Sequence, residues 1–309
     1  MGSRSLRASR TTFVLNSGVN LRRVCFIVTA GFLLIQFNQP SYFWGVSHHF
    51  RGSYGAKAAI PLYRTSNASE ANILPGLLDL LGSAYGRTVT PEDFLAYVYG
   101  VLAQPAFTAQ FHKELETREL RVPLTKDGEL FEQARRIGAK LLWLHTYGER
   151  YVPDGRKSGQ VPSGAARCTK AVPGDADGYP EKFEYNEATH TLHVGGGEFT
   201  PVSQDVLAFE VSGLKVVQSW LKYRMKKGAG KKSSPLDDIR PERWTSQFTT
   251  ELLWVLEATI DGYPAQAALL DGILTSDCFR ADELPAVPEV MRSPKKAKSS
   301  SGGLFDFEE

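Results

Sequence analysis

The spacing of the apolar residues changes period part-way along the chain, and this limits the possible folds more than any other feature. Between residues 94 and 144 apolar side chains recur every three or four positions. Phe94, Leu95, Val98, Val101 and Leu102 form one such set, and Leu130, Ala134, Ile137, Leu141 and Leu144 form another. That spacing places each set on one stripe of a helix. From residue 183 to 194 the pattern becomes alternation, with Phe183, Tyr185, Leu192 and Val194 facing one way, as on strands with one buried face. Helical and strand periods in separate stretches predict an α+β fold: a mixed or antiparallel sheet flanked by helices. With 309 residues, 42% of them apolar, the chain is long enough to bury a sizeable core.

Local signals place the elements. Thr90-Pro91-Glu92-Asp93 supplies an N-cap, a proline at the first helical position and an acidic first turn. Pro105 is expected to end that helix, and a second follows through Phe107 and Phe111. A third opens near Asp127. Residues 151–177 are rich in Gly, Pro, Ser and Lys and read as a long surface loop carrying Arg156, Lys157, Arg167 and Lys170. After the alternating hairpin, VLAFEV (206–211) reads as a strand. The next segment reads as a helix with Val216, Val217, Trp220 and Leu221 inward and Lys215, Lys222 and Lys226 on the opposite side. A C-terminal helical hairpin follows, broken at Gly262 and Pro264, and Pro285 to Glu309 reads as a disordered tail.

Towards the amino terminus, residues 41–63 suggest aromatic-rich strands, the last of them Ala58 to Tyr63. The preceding apolar run, VCFIVTAGFLLIQF, follows several arginines as a signal peptide would. It has fourteen residues, fewer than the roughly 20 a spanning helix needs, so a buried strand is expected and no membrane. Cys25, Cys168 and Cys278 are too widely spaced for a disulfide framework or a paired zinc motif, and a reducing cytoplasm is the simplest compartment.

The net charge of +2 conceals a basic segment, Lys222 to Arg243, with eight Lys/Arg against three Asp/Glu. Such asymmetry points to a polyanion. KKGAGKKSS within it resembles a phosphate-binding loop and fails as one: Met225 stands where the first glycine belongs and Lys232 where the Mg²⁺-binding hydroxyl belongs. His48-His49 are adjacent, and His190 and His193 are three apart on an expected strand, so each pair would face opposite sides. Asp175, Asp177 and Glu181 read as an acidic turn, and Gly195 to Gly197 as a bulge or turn. No nucleophile elbow, zinc-protease motif or dinucleotide loop is present. What remains are basic segments flanked by aromatics: HHFRGSYGAK, the 151–177 loop and KYRMKKGAGKK. Lysines and arginines gathered on one surface are what phosphate neutralisation requires.

The segments SHHFRGSYGAKAAIPLYR, EDFLAYVYGVLAQPAFTAQF, VLAFEVSGLKVVQSWLKYR and KKSSPLDDIRPERW, in this order, resemble the carboxy-terminal specificity (target recognition) domain of Type ISP restriction-modification enzymes. The resemblance covers roughly residues 20–290, leaving 1–19 unassigned and 291–309 as a tail. In such enzymes one polypeptide joins a nuclease, an ATP-driven translocase, an adenine-N6 methyltransferase and this domain, which reads an asymmetric DNA sequence in the major groove. The chain has no Asn-Pro-Pro-Tyr tetrapeptide, no Gly-rich methyl-donor loop and no helicase motifs. The resemblance therefore implies a module without catalytic residues or a metal. S-adenosylmethionine, ATP and Mg²⁺ are expected only in the catalytic domains. The implied partner is double-stranded DNA, with a separately encoded methyltransferase/translocase polypeptide as an alternative arrangement. Lys215, Lys222, Arg224, Lys226, Lys227, Lys231 and Lys232 would hold phosphates, and Arg51, Ser53, Tyr54 and Lys57 would stand near bases. A membrane-tethered or sliding-clamp-binding protein, suggested by the apolar run and the Leu304-Phe305-Asp306-Phe307 tail, is the second alternative.

Overall fold

The computed structural model describes residues 62–64, 67–116, 121–175, 177–211, 214–225 and 246–288. Helix α1 (Leu77–Tyr85) lies between left-handed Gly76 and Gly86. Helix α2 (Pro91–Leu102) opens as expected: Thr90 Oγ1 accepts the Asp93 N–H at 3.1 Å, and the Asp93 carboxylate accepts the Thr90 N–H at 3.0 Å. This reciprocal box satisfies two otherwise orphaned donors. Pro105 does not end α2, which stops at Leu102, but opens α3 (Pro105–Gln110). At that position the missing N–H leaves no bond unmade. Helix α4 (Gly128–His145) starts on Asp127, whose carboxylate accepts the Glu129 and Leu130 N–H groups.

Helix α4, roughly 27 Å long at 1.5 Å per residue, joins two cores. Its first half, with Phe131 and Ala134, packs among α1, α2, α3 and the last helix, α8 (Tyr263–Thr275). Its last turn, with Trp143 and Leu144, packs into a second core made by the sheet, α6 (Val216–Arg224) and α7 (Ser246–Ile260). Helices α2 and α4 cross at Gly100 and Gly138. A Cβ on Gly138 would overlap the Ala96 carbonyl, and one on Gly100 would overlap that of Ala134. The backbones therefore touch where both side chains are missing. Beside this crossing the fully enclosed Gln266 of α8 donates from Nε2 to the Gly100 and Ala103 carbonyls at 3.1 and 3.2 Å. These are carbonyls that the end of α2 leaves open.

The sheet has the order β1-β4-β3-β2 and is antiparallel throughout. Its strands are β1 (Arg167–Lys170), β2 (Phe183–Asn186), β3 (Thr191–Val194) and β4 (Gly197–Thr200). The register pairs Phe183 with Val194, Tyr185 with Leu192 and Leu192 with Phe199, so the alternating residues do share the inner face. Gly195 and Gly196 form the β3–β4 turn, Gly195 with φ of 55°, a conformation glycine adopts without steric cost.

Four further expectations need correction. Strand β1 lies inside the segment read as a loop. The first half of VLAFEV is helix, the end of α5 (Gln204–Ala208), because the Ser203 hydroxyl caps it by accepting the Val206 N–H; only Glu210–Val211 forms a strand, β5, paired with β6 (Leu214–Lys215). His190 sits in the β2–β3 turn at φ of 49°, while His193 is on the outer face opposite Glu184 and Glu198. Pro285 to Pro288 are placed, and Val287 is buried in the first core. The apolar run, residues 41–61 and residues 289–309 lie outside the described residues; Tyr63 makes an isolated bridge to Ala71. Among the described residues no helix is long and apolar enough to cross a membrane.

Where the cores meet, His145 Nδ1 lies 2.6 Å from the Tyr99 hydroxyl and Nε2 lies 2.9 Å from Thr259 Oγ1. Thr259 donates its own hydrogen to the Val255 carbonyl. It therefore accepts from Nε2–H, which leaves Nδ1 to accept from Tyr99. Enclosure of the ring pushes the His145 pKa down to about 4, which favours the neutral form. Above pH 6.5 the contribution is fully present. It is lost as pH falls towards 4, because the unfolded chain binds the proton first. At 1.36 kcal/mol per pKa unit, stability is expected to fall by up to about 2 kcal/mol between pH 7 and pH 5 from this group. Urea unfolding of the protein and of His145→Gln at both pH values measures it; an equal loss in the variant would assign the effect to other groups.

Candidate nucleic-acid interface

Of the cations singled out in the sequence, Lys215 and Lys222 are exposed near opposite ends of α6. Their helix is fixed by Val216, Val217, Trp220 and Leu221, all at most 2% exposed, so the expected division into a packing and a cationic side holds for these residues. Lys222 in the last turn also complements the helix dipole. Arg224 is placed by its backbone in α6. Arg51, Ser53, Tyr54, Lys57, Lys226, Lys227, Lys231 and Lys232 lie outside the described residues. The ends between which the last four run are fixed. Met225 is buried in the second core, and Ser246 Oγ accepts the Val172 N–H at 3.0 Å.

That hydrogen bond brings the end of one basic segment beside another. Residues 150–170 carry Arg150, Arg156, Lys157, Arg167 and Lys170 against the single acid Asp154. Arg150, Arg156, Lys157 and Lys170 are exposed and form no ion pair among the described residues. The contrast is Glu132 on α4, which takes Arg87, Arg135 and Arg136 at 2.9, 2.6 and 2.7 Å. The hydrogen bond from Arg135, joined by that from Arg136 and by the nearby charges, brings the Glu132 carboxyl down to about 2. Those arginines are neutralised internally, whereas Arg150, Arg156, Lys157 and Lys170 face no carboxylate within ion-pair distance among the described residues.

The segment is held at both ends. At its start Thr146 Oγ1 accepts the Arg150 N–H at 3.1 Å, the Tyr151 hydroxyl donates to the Glu92 carbonyl at 3.0 Å, and Gly159 N–H donates to the Gly148 carbonyl at 2.9 Å. At its end the Glu257 carboxylate accepts the N–H groups of Ala165 and Ala166 at 2.6 and 3.0 Å. Trp254 Nε1 donates to the Ala166 carbonyl at 2.7 Å. The Arg167 guanidinium lies 5.8 Å from the Trp254 ring and donates to the carbonyls of Gly164, Ala165 and Ala166. Trp254 and Glu257 were not among the expected functional residues. The available signal was a carboxylate inside the apolar run LLWVLEATI, where an acid needs partners.

Other polar groups serve the scaffold. Asp175 caps its own turn by accepting the Gly178 N–H at 2.7 Å, the first cause of its lowered pKa. Among the described residues no group of three His, Cys, Asp or Glu side chains is placed to hold a metal ion.

Residues 44–254, about two thirds of the chain, match the family described as Type ISP C-terminal specificity domain. The chain belongs to this family. No curated protein matches it. Similar solved structures include a DrdV–DNA complex, with 19% identity and a TM-score of 0.44 over 70% of this chain and 21% of that one. A nuclease-deletion mutant of the Type ISP restriction-modification enzyme LlaGI, in complex with a DNA substrate mimic, gives 18%, 0.38, 62% and 17%. The ATP-dependent Type ISP enzyme LlaBIII bound to DNA gives 15%, 0.44, 70% and 13%. The chain thus spans about a fifth or less of the length of these structures. In this specificity domain the matched region includes the held loop, the sheet, α6 and α7 as far as Trp254; α8 lies beyond it yet buries Leu269, Leu270 and Ile273 in the first core.

Proposed function

We propose that this specificity domain is the DNA-recognition module of a Type ISP restriction-modification system, binding duplex DNA and performing no chemistry itself. The observation that carries the reading is a set of exposed cations, on a loop held at both ends and on the strand that follows it, that form no ion pair among the described residues. Arg150, Arg156, Lys157 and Lys170 join Lys215 and Lys222 as phosphate contacts, with Arg224, Lys226, Lys227, Lys231 and Lys232 contributing from the basic segment. Arg51, Ser53, Tyr54 and Lys57 are the residues assigned to base edges, because forked and hydroxyl donors suit major-groove readout. Nuclease, translocase and adenine methyltransferase belong to the remainder of such a system, together with S-adenosylmethionine, ATP and Mg²⁺. Titration of a fluorescent duplex at several salt concentrations tests the reading. Each phosphate contact steepens the log–log slope by about 0.9, so the full set of eleven cations gives a slope of about −10, whereas a slope near zero contradicts the reading.

A further inference from the structure

We infer that Glu257 and Trp254 of α7 are positioning residues for the DNA contact: they fix where Arg156 and Lys157 stand. The inference rests on the DNA-binding reading. Residues 150–166 form no helix or strand, and a free loop of that length would lose conformational entropy on binding DNA. Here the ordering is built in beforehand. A carboxylate that accepts two successive backbone N–H groups makes charge-assisted bonds, roughly twice as strong as neutral ones. Both oxygens of Glu257 are used in this way. The fit leaves no room at Gly164, where a Cβ would overlap Glu257 Oε2.

Helix α7 also holds the far end of the same stretch. Ser246 bonds Val172, and Glu257 bonds Ala165 and Ala166, points separated by about 16 Å along the helix axis at 1.5 Å per residue. Strand β1 lies between them. One helix therefore holds the chain on both sides of β1, at Ala165–Ala166 and at Val172. Arg167 belongs to this fastening and not to the DNA-facing set, since its Nη1 is already given to three backbone carbonyls.

A double-mutant cycle on the full chain tests the inference by duplex affinity and salt slope. Glu257→Ala is expected to weaken binding about tenfold and to flatten the slope by about two units, the share of two phosphate contacts. In the background Arg156→Ala/Lys157→Ala the same change is expected to weaken binding less than twofold, since interacting residues give non-additive effects. Glu257→Gln keeps one acceptor oxygen; it is expected to fall between the wild type and Glu257→Ala, and it takes that variant's place in the cycle if Glu257→Ala does not fold. A purely structural role would leave the slope unchanged and make the losses additive, which would overturn the inference while wild-type binding stayed salt-steep. Wild-type protein that shows no salt-dependent duplex binding would overturn the DNA reading and the inference together.

Discussion

Gly138→Ala is expected to destabilise the protein by about 1 to 3 kcal/mol, as overpacking a tight interior does, and Gly138→Val by more. The sign is informative, because alanine ordinarily stabilises a helix interior by up to about 1 kcal/mol over glycine. Here the added Cβ meets the Ala96 carbonyl oxygen and the Gly100 backbone nitrogen. Backbone cannot rotate away as a side chain can, so α2 and α4 must separate. Since α4 carries both cores, separation at the crossing also loosens Tyr99 from His145 and the Gln266 bonds to α2. Urea midpoints with circular dichroism measure this, and a Gly138→Ala protein more stable than wild type would mean that the helices do not cross so closely.

The largest expected effect on binding comes from replacing Lys226, Lys227, Lys231 and Lys232 together with alanine. If each holds one phosphate, the log–log salt slope becomes less steep by between about three and four units. Affinity near physiological salt falls on the order of a hundredfold or more, equally for every DNA sequence, because phosphate contacts carry no base information. Folding stability should be unchanged, since the cores are closed by Met225 on one side of the segment and Ser246 on the other. A variant with an unaltered slope would show that these lysines do not touch DNA, leaving residues 150–170 and the cations of α6 as the basic contacts.

Helices α2, α3 and α4 were legible because their signals are local, whereas α1 (Leu77–Tyr85) was not anticipated and α5 was read as strand. Thr90 and Asp93 lie three residues apart and cap each other, and Asp127 caps the helix that it starts. The hairpin β2–β3 was legible from alternation and the turn at Gly195 and Gly196 from its glycines, whereas β4 (Gly197–Thr200) was not among the expected strands. Strand β1 was not legible either. Its four residues have one partly inward side chain, Cys168, and it is a strand only because β4, some thirty residues later, and α7, some ninety residues later, hold it there. The segment VLAFEV was misread because a short apolar run suits either structure, and the deciding cap, Ser203, stands before it. The exposure of Lys215 and Lys222 was legible from the helical spacing of Val216, Val217, Trp220 and Leu221. The residues that hold the loop were not. Glu257 finds its partners at Ala165 and Ala166, and no local pattern encodes a contact across ninety residues.

The central claim is that this chain selects a DNA sequence, and selection from a pool of random duplexes at several salt concentrations tests it most directly. The account predicts that the bound fraction is enriched in one asymmetric motif and that binding falls steeply with salt. Absence of binding, or binding without enrichment of any motif at every salt concentration, would contradict it.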